Sequence, residues 1–515
     1  MLASRLTPMR TASDVATVTQ PSTTSERGTI SNEALAKQLT IPRDAIPGVN
    51  LVGFLEGELG LGEVARKLGR ALEHAGIPFA AISYRRTPSR QEHPLELEPS
   101  RDAPYDTNVI CLNADHLHDF LDDVGVDFFA GRYSIGVWFW ESSVFRQENL
   151  EGLRFLDEVW VASEYVREAI AAVADVPVLV APLPIEEPSE ATHSRADLGL
   201  PEGFTFLFLF DFVSGQRKNP WAVVKAFKQA FASGEGPTLV VKSINGRERK
   251  PQLLDQLIAA ADGRPDIHIV DAYVSAAEKD SYMAACDCFV SLHRSEGFGL
   301  PMADAMARGK PVIATGYSGN LDFMDERNSY LVPYRLVSVP EDWWAHAPGA
   351  EWAEPDVEAA AAQMREVYAN PSEARALGKR GRASILSTMS LDRTAAFLFD
   401  HVEDVRHRRG SAETSAHDPR AAILQASHAL EKGVAASLLD DTGPRPRFVR
   451  RLLARALWPY LADQQRFETS VLDVLTALQR SVENIEQRIL RLEASGAQDQ
   501  DHTEAPPTTS RSTSR

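Results

Sequence analysis

Two carboxylates bracket a glycine-rich turn in the stretch SEGFGLPMAD, Glu296 before Gly297-Phe298-Gly299-Leu300 and Asp304 after it. The preceding run CFVSLH reads as a strand, Pro301 suits the first position of a helix, and Gly309 marks that helix's end. The backbone amides of the turn therefore face outward at the positive end of a helix dipole, where phosphate oxygens bind. Carboxylates accept hydrogen bonds from paired hydroxyls. A diphosphate flanked by two sets of hydroxyls, as in a sugar nucleotide, matches this spacing, with Glu296 taking one set and Asp304 the other.

The elements that position these residues form two series. The first opens with VNLVGFL, a continuous apolar run of the kind a buried parallel strand shows. The loop GELGLG follows, then a helix with Val64, Leu68, Ala71 and Leu72 on one face, closed by Gly76. NVICLNA, YSIGVWFW, DEVWVAS with its helix EYVREAIAAV, and PVLVAPLP continue the pattern. The second series runs through FTFLFLF, the helix NPWAVVKAFKQAFASG, TLVVKSI, DIHIVDAY, CFVSLH and KPVIAT, with Asn219 expected to cap its first helix and Pro220 in the first turn. Strands alternating with helices predict an α/β chain of two doubly wound, Rossmann-like halves facing a ligand cleft.

The predicted domains are a disordered leader over 1–47, a first Rossmann-like half over 48–187 and a second Rossmann-like half over 188–408, which the resemblance described below makes the acceptor and nucleotide-sugar sides. A linker over 409–444 and a basic amphipathic helix over 445–461 follow, then a short coiled coil over 462–495 and a disordered tail over 496–515. The basic segment RPRFVRRLLARALWPYL carries five arginines and no acid, a composition that fits peripheral contact with an anionic membrane or docking on an acidic body. Val471, Leu475, Leu478, Val482, Ile485, Ile489 and Leu492 alternate by four and three, the seam of a homo-oligomeric coiled coil.

Composition narrows the function classes. The formal charge of −18 argues against a general nucleic-acid binder. The three cysteines, Cys111, Cys286 and Cys288, form neither a disulfide framework nor a zinc motif and read as core residues. His116 and His118 are too weakly spaced on a loop to be read as a metal pair, and Trp343 and Trp344 read as packing residues. The opening residues lack a signal peptide's apolar core, and no run is long enough for a membrane span. The expected location is the cytoplasm, with the inner face of the membrane available through the basic helix.

EGFGLPMADAMARGKPVIAT resembles the signature of family-4 retaining glycosyltransferases of the GT-B fold, in which two glutamates separated by seven residues bracket a Gly-Phe-Gly-Leu-Pro turn. The resemblance implies that Glu296 meets the transferred sugar and that Gly297, Phe298, Gly299 and Leu300 offer amides to sugar and diphosphate. It places Asp304, one methylene shorter than the family's commoner glutamate, on the ribose. FDFVSGQRKNPWAVVKAF is similar to the segment that supplies phosphate-binding cations, which puts Lys218 and Arg217 on the diphosphate. Where many members have Gly-Arg this chain has Asp211 and Phe212, and Lys242 is the expected compensating cation. EGELGLGEVAR, with Gly60 and Gly62, resembles the family's glycine-rich loop, and WFWESSVF, with Glu141, the segment approaching the sugar from the acceptor side. GYSGNLDFM lies where the family has a further glycine-rich turn near the donor.

The implied reaction moves a sugar from a nucleotide-diphosphate donor to a hydroxyl of a glycan, polysaccharide or lipid-linked acceptor, with retention and with no metal or other cofactor. Two other readings stay open from the sequence: a sugar-nucleotide epimerase of the same architecture, and a non-catalytic assembly subunit built on a transferase body.

Overall fold

The computed structural model describes residues 39 to 412, apart from 43, 342 and 344–346. The leader through residue 38, the basic helix 445–461, the coiled coil 462–495 and the tail lie outside the described residues. Order begins earlier than the predicted residue 48. The Thr40 amide donates to the Arg101 carbonyl at 2.8 Å, and the Ala103 amide to the Thr40 carbonyl at 2.9 Å.

In the first half, β1 (Ile46–Gly53), β2 (Phe79–Ser83), β3 (Tyr105–Cys111), β4 (Tyr133–Trp138), β5 (Glu158–Val161) and β6 (Val178–Val180) form a parallel sheet of order β2-β1-β3-β4-β5-β6. Helices α1 (Gly60–His74), α2 (Ala114–Val124) and α3 (Glu164–Ala171) belong to its crossovers. Asn50 on β1 is fully buried, and its amide donates to Asn108 Oδ1 at 2.9 Å. Asn108 in turn donates to Ser134 Oγ at 3.0 Å, so a polar ladder ties three strands in register.

The second half begins with β7 (Thr205–Asp211), followed by the short α4 (Gly215–Lys218) and α5 (Pro220–Ala230). Then come β8 (Thr238–Ile244), α6 (Pro251–Ala261), β9 (Ile267–Asp271), α7 (Ala276–Ala285), β10 (Cys288–Ser291), α8 (Leu300–Ala307), β11 (Val312–Thr315) and β12 (Tyr330–Val332). Its parallel sheet has the order β12-β11-β10-β7-β8-β9. The period-2 pattern of β7 explains its burial on both faces. Phe206, Phe208 and Phe210 pack with Phe227 of α5, while Leu207 joins the opposite cluster with Phe289.

Two features depart from the sequence reading. An antiparallel hairpin, β13 (Tyr334–Ser338) and β14 (Glu351–Pro355), projects after β12, and its Val339, Trp343 and Trp352 pack with Trp140 and Phe145 of the first half. Trp343 is thus the packing residue expected, whereas Trp344 lies outside the described residues. The second concerns the end of the 188–408 range. After α9 (Val357–Ala369) and α10 (Pro371–Thr388), helix α11 (Leu391–Ala412) runs past residue 408 and returns to the first sheet. There Phe397 and His401 lie against Trp160 at 5.3 Å, His401 meets Glu158 of β5, and Arg409 donates to the Gly131 carbonyl at 2.8 Å. The chain therefore crosses between the halves twice.

Helix α10 lies close to the end of α8 because Gly378 has no side chain. A Cβ there would stand 2.2 Å from the Gly309 carbonyl oxygen, against backbone that cannot yield. Gly378→Ala is expected to lower stability by about 1–3 kcal/mol, while exposed Lys379→Ala stays within ~0.5 kcal/mol, as read by denaturant unfolding.

Candidate functional site

In an open parallel sheet, ligands bind beyond the carboxyl ends of the strands where the strand order reverses. In the second sheet this switch point falls between β7 and β10, which are adjacent although β8 and β9 lie between them in the chain. Both strand ends carry the residues of interest. β7 leads into Arg217 and Lys218 on α4, and β10 leads through residues 292–299 into α8.

Glu296 sits between the two cations. Arg217 Nη1 donates to its Oε2 at 2.8 Å, and the Lys218 ammonium donates to its Oε1 at 2.5 Å. Arg217 also donates to the Ser295 carbonyl at 2.7 Å and reaches Glu141 Oε1 of the first half at 3.3 Å. Glu296 is 5% exposed and Arg217 6%. Burial pushes the Glu296 carboxyl up, but Lys218, Arg217 and His293 overcome this and hold it at about 2. The Arg217 guanidinium is held above its usual value: burial opposes its charge, and the two carboxylates more than offset that.

The local backbone is as constrained as the charges. Gly299 adopts φ +104 and ends the turn in the left-handed region before α8, with Pro301 in the helix's first turn as the sequence indicates. Among the described residues, the amides of Phe298, Gly299 and Leu300 donate to no protein acceptor. These are the orphan donors of a helix start, and they face no competing backbone. The peptide of Glu296 is held from both sides: its amide donates to Ser318 Oγ at 2.8 Å, and its carbonyl accepts from the Gly319 amide at 3.0 Å. Gly319 must be glycine, since a Cβ would stand 2.4 Å from the Gly297 carbonyl oxygen. Ser318 adopts φ 75, a strained conformation for a residue with a side chain. From the first half, Ser163 donates to the Gly297 carbonyl at 2.6 Å.

Behind the turn, His293 is fully buried. Its Nδ1 lies 3.1 Å from Ser291 Oγ, and its Nε2 lies 3.2 Å from the Tyr317 carbonyl and 3.1 Å from Asn320 Oδ1. The acceptors at Nε2 fix the proton there, and burial lowers the ring's pKa. Arg294 braces the cation-bearing turn, donating to the Gln216 carbonyl at 2.6 Å and to Glu354 of the hairpin at 2.8 Å. Buried polar atoms without a partner occur in three segments flanking this cluster: Ser142 Oγ, Asn219 Nδ2 and Thr315 Oγ1.

The remaining residues named from the sequence fall in three places. Asp304 is partly buried on α8. Burial raises its carboxyl above the usual range, while Lys279 of α7 and Lys67 of α1 act against that. Gly60 and Gly62 open that helix, which starts inside the stretch read as a loop. Gly60 is exposed with nothing near a Cβ position, whereas Gly62 packs tightly, its Cβ position 2.5 Å from the Gly57 carbonyl oxygen. Lys242 is not part of the charge cluster. Its ammonium donates to the Ser243 carbonyl at 3.0 Å and to that of Ala272, and burial lowers it to about 8. Asn219 occupies the N-cap position of α5, but in a left-handed conformation with no capping hydrogen bond. His118 lies 3.3 Å from Glu151, and His116 edges against Phe54.

The sequence reading did not single out Ser163, Ser318 and His293 as functional. Ser163 lies two residues after β5 and caps α3, and Ser318 lies in the quoted GYSGN turn, so position supplied a signal; His293 carried none beyond ending an apolar run.

Residues 194–384 match the family model for glycosyl transferases group 1. Over 226 residues the chain is 29% identical to the D-inositol 3-phosphate glycosyltransferase of Arthrobacter sp. (strain FB24), covering 42% of this chain and 47% of that protein. The chain thus spans about half the length of this curated relative. Among solved structures, the sucrose-phosphate synthase of Thermosynechococcus elongatus is similar over 70% of this chain and 100% of its own, with TM-score 0.52 and 17% identity. The Anabaena protein HepE, solved in complex with UDP and glucose, is similar over the same shares with TM-score 0.51 and 14% identity. The segment 194–384, which holds Arg217, Lys218 and Glu296, is thus similar to glycosyl transferases group 1, and the two-sheet body has the GT-B fold.

Proposed function

We propose that this chain transfers a sugar from a nucleotide-diphosphate donor to a hydroxyl acceptor, with retention at the transferred carbon. One observation carries the reading: a buried arginine and a partly buried lysine converge with a buried carboxylate beside three amides at the start of α8 that donate to no acceptor among the described residues.

As the sugar–phosphate bond breaks, negative charge grows on the leaving diphosphate. Lys218, Arg217 and the amides of Phe298 to Leu300 are held in place to receive it, which is stabilisation by prearranged donors. In the resting cluster those cations face Glu296 and Glu141, two positive groups against two negative ones. A bound diphosphate draws the cations toward itself, and Glu296 is released to accept hydrogen bonds from the sugar hydroxyls. Glu141, from the acceptor side, lies beside the same guanidinium and so near the reacting carbon. Asp304 takes the ribose hydroxyls from α8. On this reading retention comes from front-face attack, with the leaving phosphate accepting the acceptor's proton, and no group of the chain acts as nucleophile. The charge is handled without a metal, and a nucleoside diphosphate as leaving group accords with the likeness in fold to the Anabaena protein, which was solved with UDP and glucose.

Three outcomes test this. Glu296→Gln and Lys218→Ala are each expected to lower kcat by about 10²–10³-fold in a transfer assay across a panel of nucleotide sugars. Donor incubated alone should yield no epimerised sugar, the product an epimerase would give. Enzyme treated with EDTA should retain its activity within about twofold, whereas a metal-assisted site would lose it.

The charge cluster also sets a pH dependence of stability. The Glu296 carboxyl sits at about 2 in the folded chain against an ordinary 4.5. A lowered folded value means that its stabilisation is complete above 4.5 and is lost as pH falls toward 2. The difference in Tm between the native chain and Glu296→Gln should be constant well above that range and narrow below it, as read by thermal unfolding.

A further inference from the structure

A row of three tyrosines leaves the charge cluster and reaches the surface, and the transfer chemistry described above uses none of them. Tyr165 stands at the start of α3, where Ser295 Oγ donates to its hydroxyl at 3.2 Å. Ser295 directly precedes Glu296, and its carbonyl accepts from Arg217, so the inner end of the row is one hydrogen bond from the site. Tyr317 follows at 5.5 Å between ring centroids, and Tyr334 of β13 at a further 5.1 Å. Tyr334 is 41% exposed and Leu336, two residues along on the same face of the strand, 47%. Three separate parts of the chain thus supply one aromatic line: the first half, the second half and the hairpin.

The chemistry of the line selects its occupant. Pyranose rings have apolar C–H faces that lie against aromatic rings and equatorial hydroxyls that need acceptors and donors at the rim. Beside its rings the row has such a rim: the Tyr317 hydroxyl lies 3.4 Å from the Glu351 carbonyl, and Ser143 and Glu351 exchange hydrogen bonds at 3.1 and 3.0 Å. A hydrocarbon tail would meet hydroxyls and backbone carbonyls along this path instead of a continuous apolar groove. The hairpin is fixed in place by this Ser143–Glu351 exchange and by Trp343 and Trp352 in the shared core, so the row is a prearranged surface.

We infer that Tyr165, Tyr317 and Tyr334 form the acceptor track, and that the acceptor is an oligosaccharide chain whose units stack along it toward Glu141 and Glu296. The inference rests on the transferase reading and deepens it by naming the acceptor class.

The test titrates the full chain by calorimetry with cellohexaose, maltohexaose and mannohexaose, and separately with farnesyl phosphate and with UDP-glucose and GDP-mannose. At least one hexasaccharide should bind the native chain. Tyr334→Ala, at an exposed position, should weaken that binding about tenfold, equivalent to ~1.4 kcal/mol, and Tyr334→Phe, which keeps the ring face, should restore most of it. Affinity for the nucleotide sugar should be unchanged in both variants. The inference is overturned if no hexasaccharide binds, if Tyr334→Ala binds as tightly as the native chain, or if farnesyl phosphate binds and is the ligand weakened by that substitution. Nucleotide-sugar binding is read independently, so its absence would count against the transferase reading while leaving the outcome at Tyr334 interpretable.

Discussion

The buried meeting of Arg217 and Lys218 with Glu296 is the constraint around which the rest of the molecule is arranged. Moving each charge out of water carries an effective penalty of several kcal/mol, about what a single well-made core residue contributes or more, and only close pairing in good geometry offsets it. The arrangement therefore has to be rigid. Rigidity comes from the peptide of Glu296 being gripped by Ser318 and Gly319, from Ser163 reaching across to Gly297, and from Arg294 fixing the carbonyl beside Arg217. Strain at Ser318 and the glycine-only contact at Gly319 are the local consequences of holding that one carboxylate in place.

The same cluster couples the two halves. Arg217 belongs to the second half and Glu141 to the first, so a guanidinium bridges the cleft. Three further ties act in the same direction: Ser163 to Gly297, the hairpin with Ser143, and α11 returning to β5. Separating the halves would expose Arg217 to water and remove Glu141 from it, leaving Glu296 to balance two cations. The closed arrangement and the neutral cluster thus stabilise each other, and a ligand bearing negative charge would substitute for a carboxylate as counter-ion without requiring the cleft to lose its electrical balance.

Much of the scaffold was legible because parallel strands buried on both faces leave long apolar runs, as FTFLFLF and VNLVGFL do, and because glycine and proline mark helix ends sharply at Gly309 and Pro301. The family resemblance assigns Glu296 and Lys218 to one donor site, whereas their direct ion pair is not read from the sequence. What escaped depended on contacts distant in sequence. The short strand YRLVS has no strong turn signal and pairs with EWAEP across an irregular stretch, so its stability comes from Trp140 and Phe145, some two hundred residues earlier. An amphipathic pattern identifies α11 as a helix but carries no information about which sheet it covers. Lys242 reads from the sequence as the end of a strand, as a phosphate-binding cation would be, but β8 continues two residues beyond it and its ammonium is taken by the Ser243 and Ala272 carbonyls. Strand position places a side chain at an edge; its direction is settled by whichever acceptor is nearest.

The departure at Asp211 and Phe212 makes sense in the same terms. Asp211 accepts from Asn245 at 2.9 and 3.0 Å and from the Val213 amide at 2.9 Å, and Phe212 is fully buried in the aromatic core below. The strand end is therefore committed to shaping the turn that follows, and a cation at position 212 would be directed into that core. With the turn shaped this way, Arg217 comes to the carboxylate from α4, one residue before Lys218, and the two cations approach opposite oxygens of Glu296. On the proposed reading, the positive charge that the resemblance expects at position 212 is supplied from later in the chain, by the same short helix that carries the lysine, and Lys242 is not needed for it.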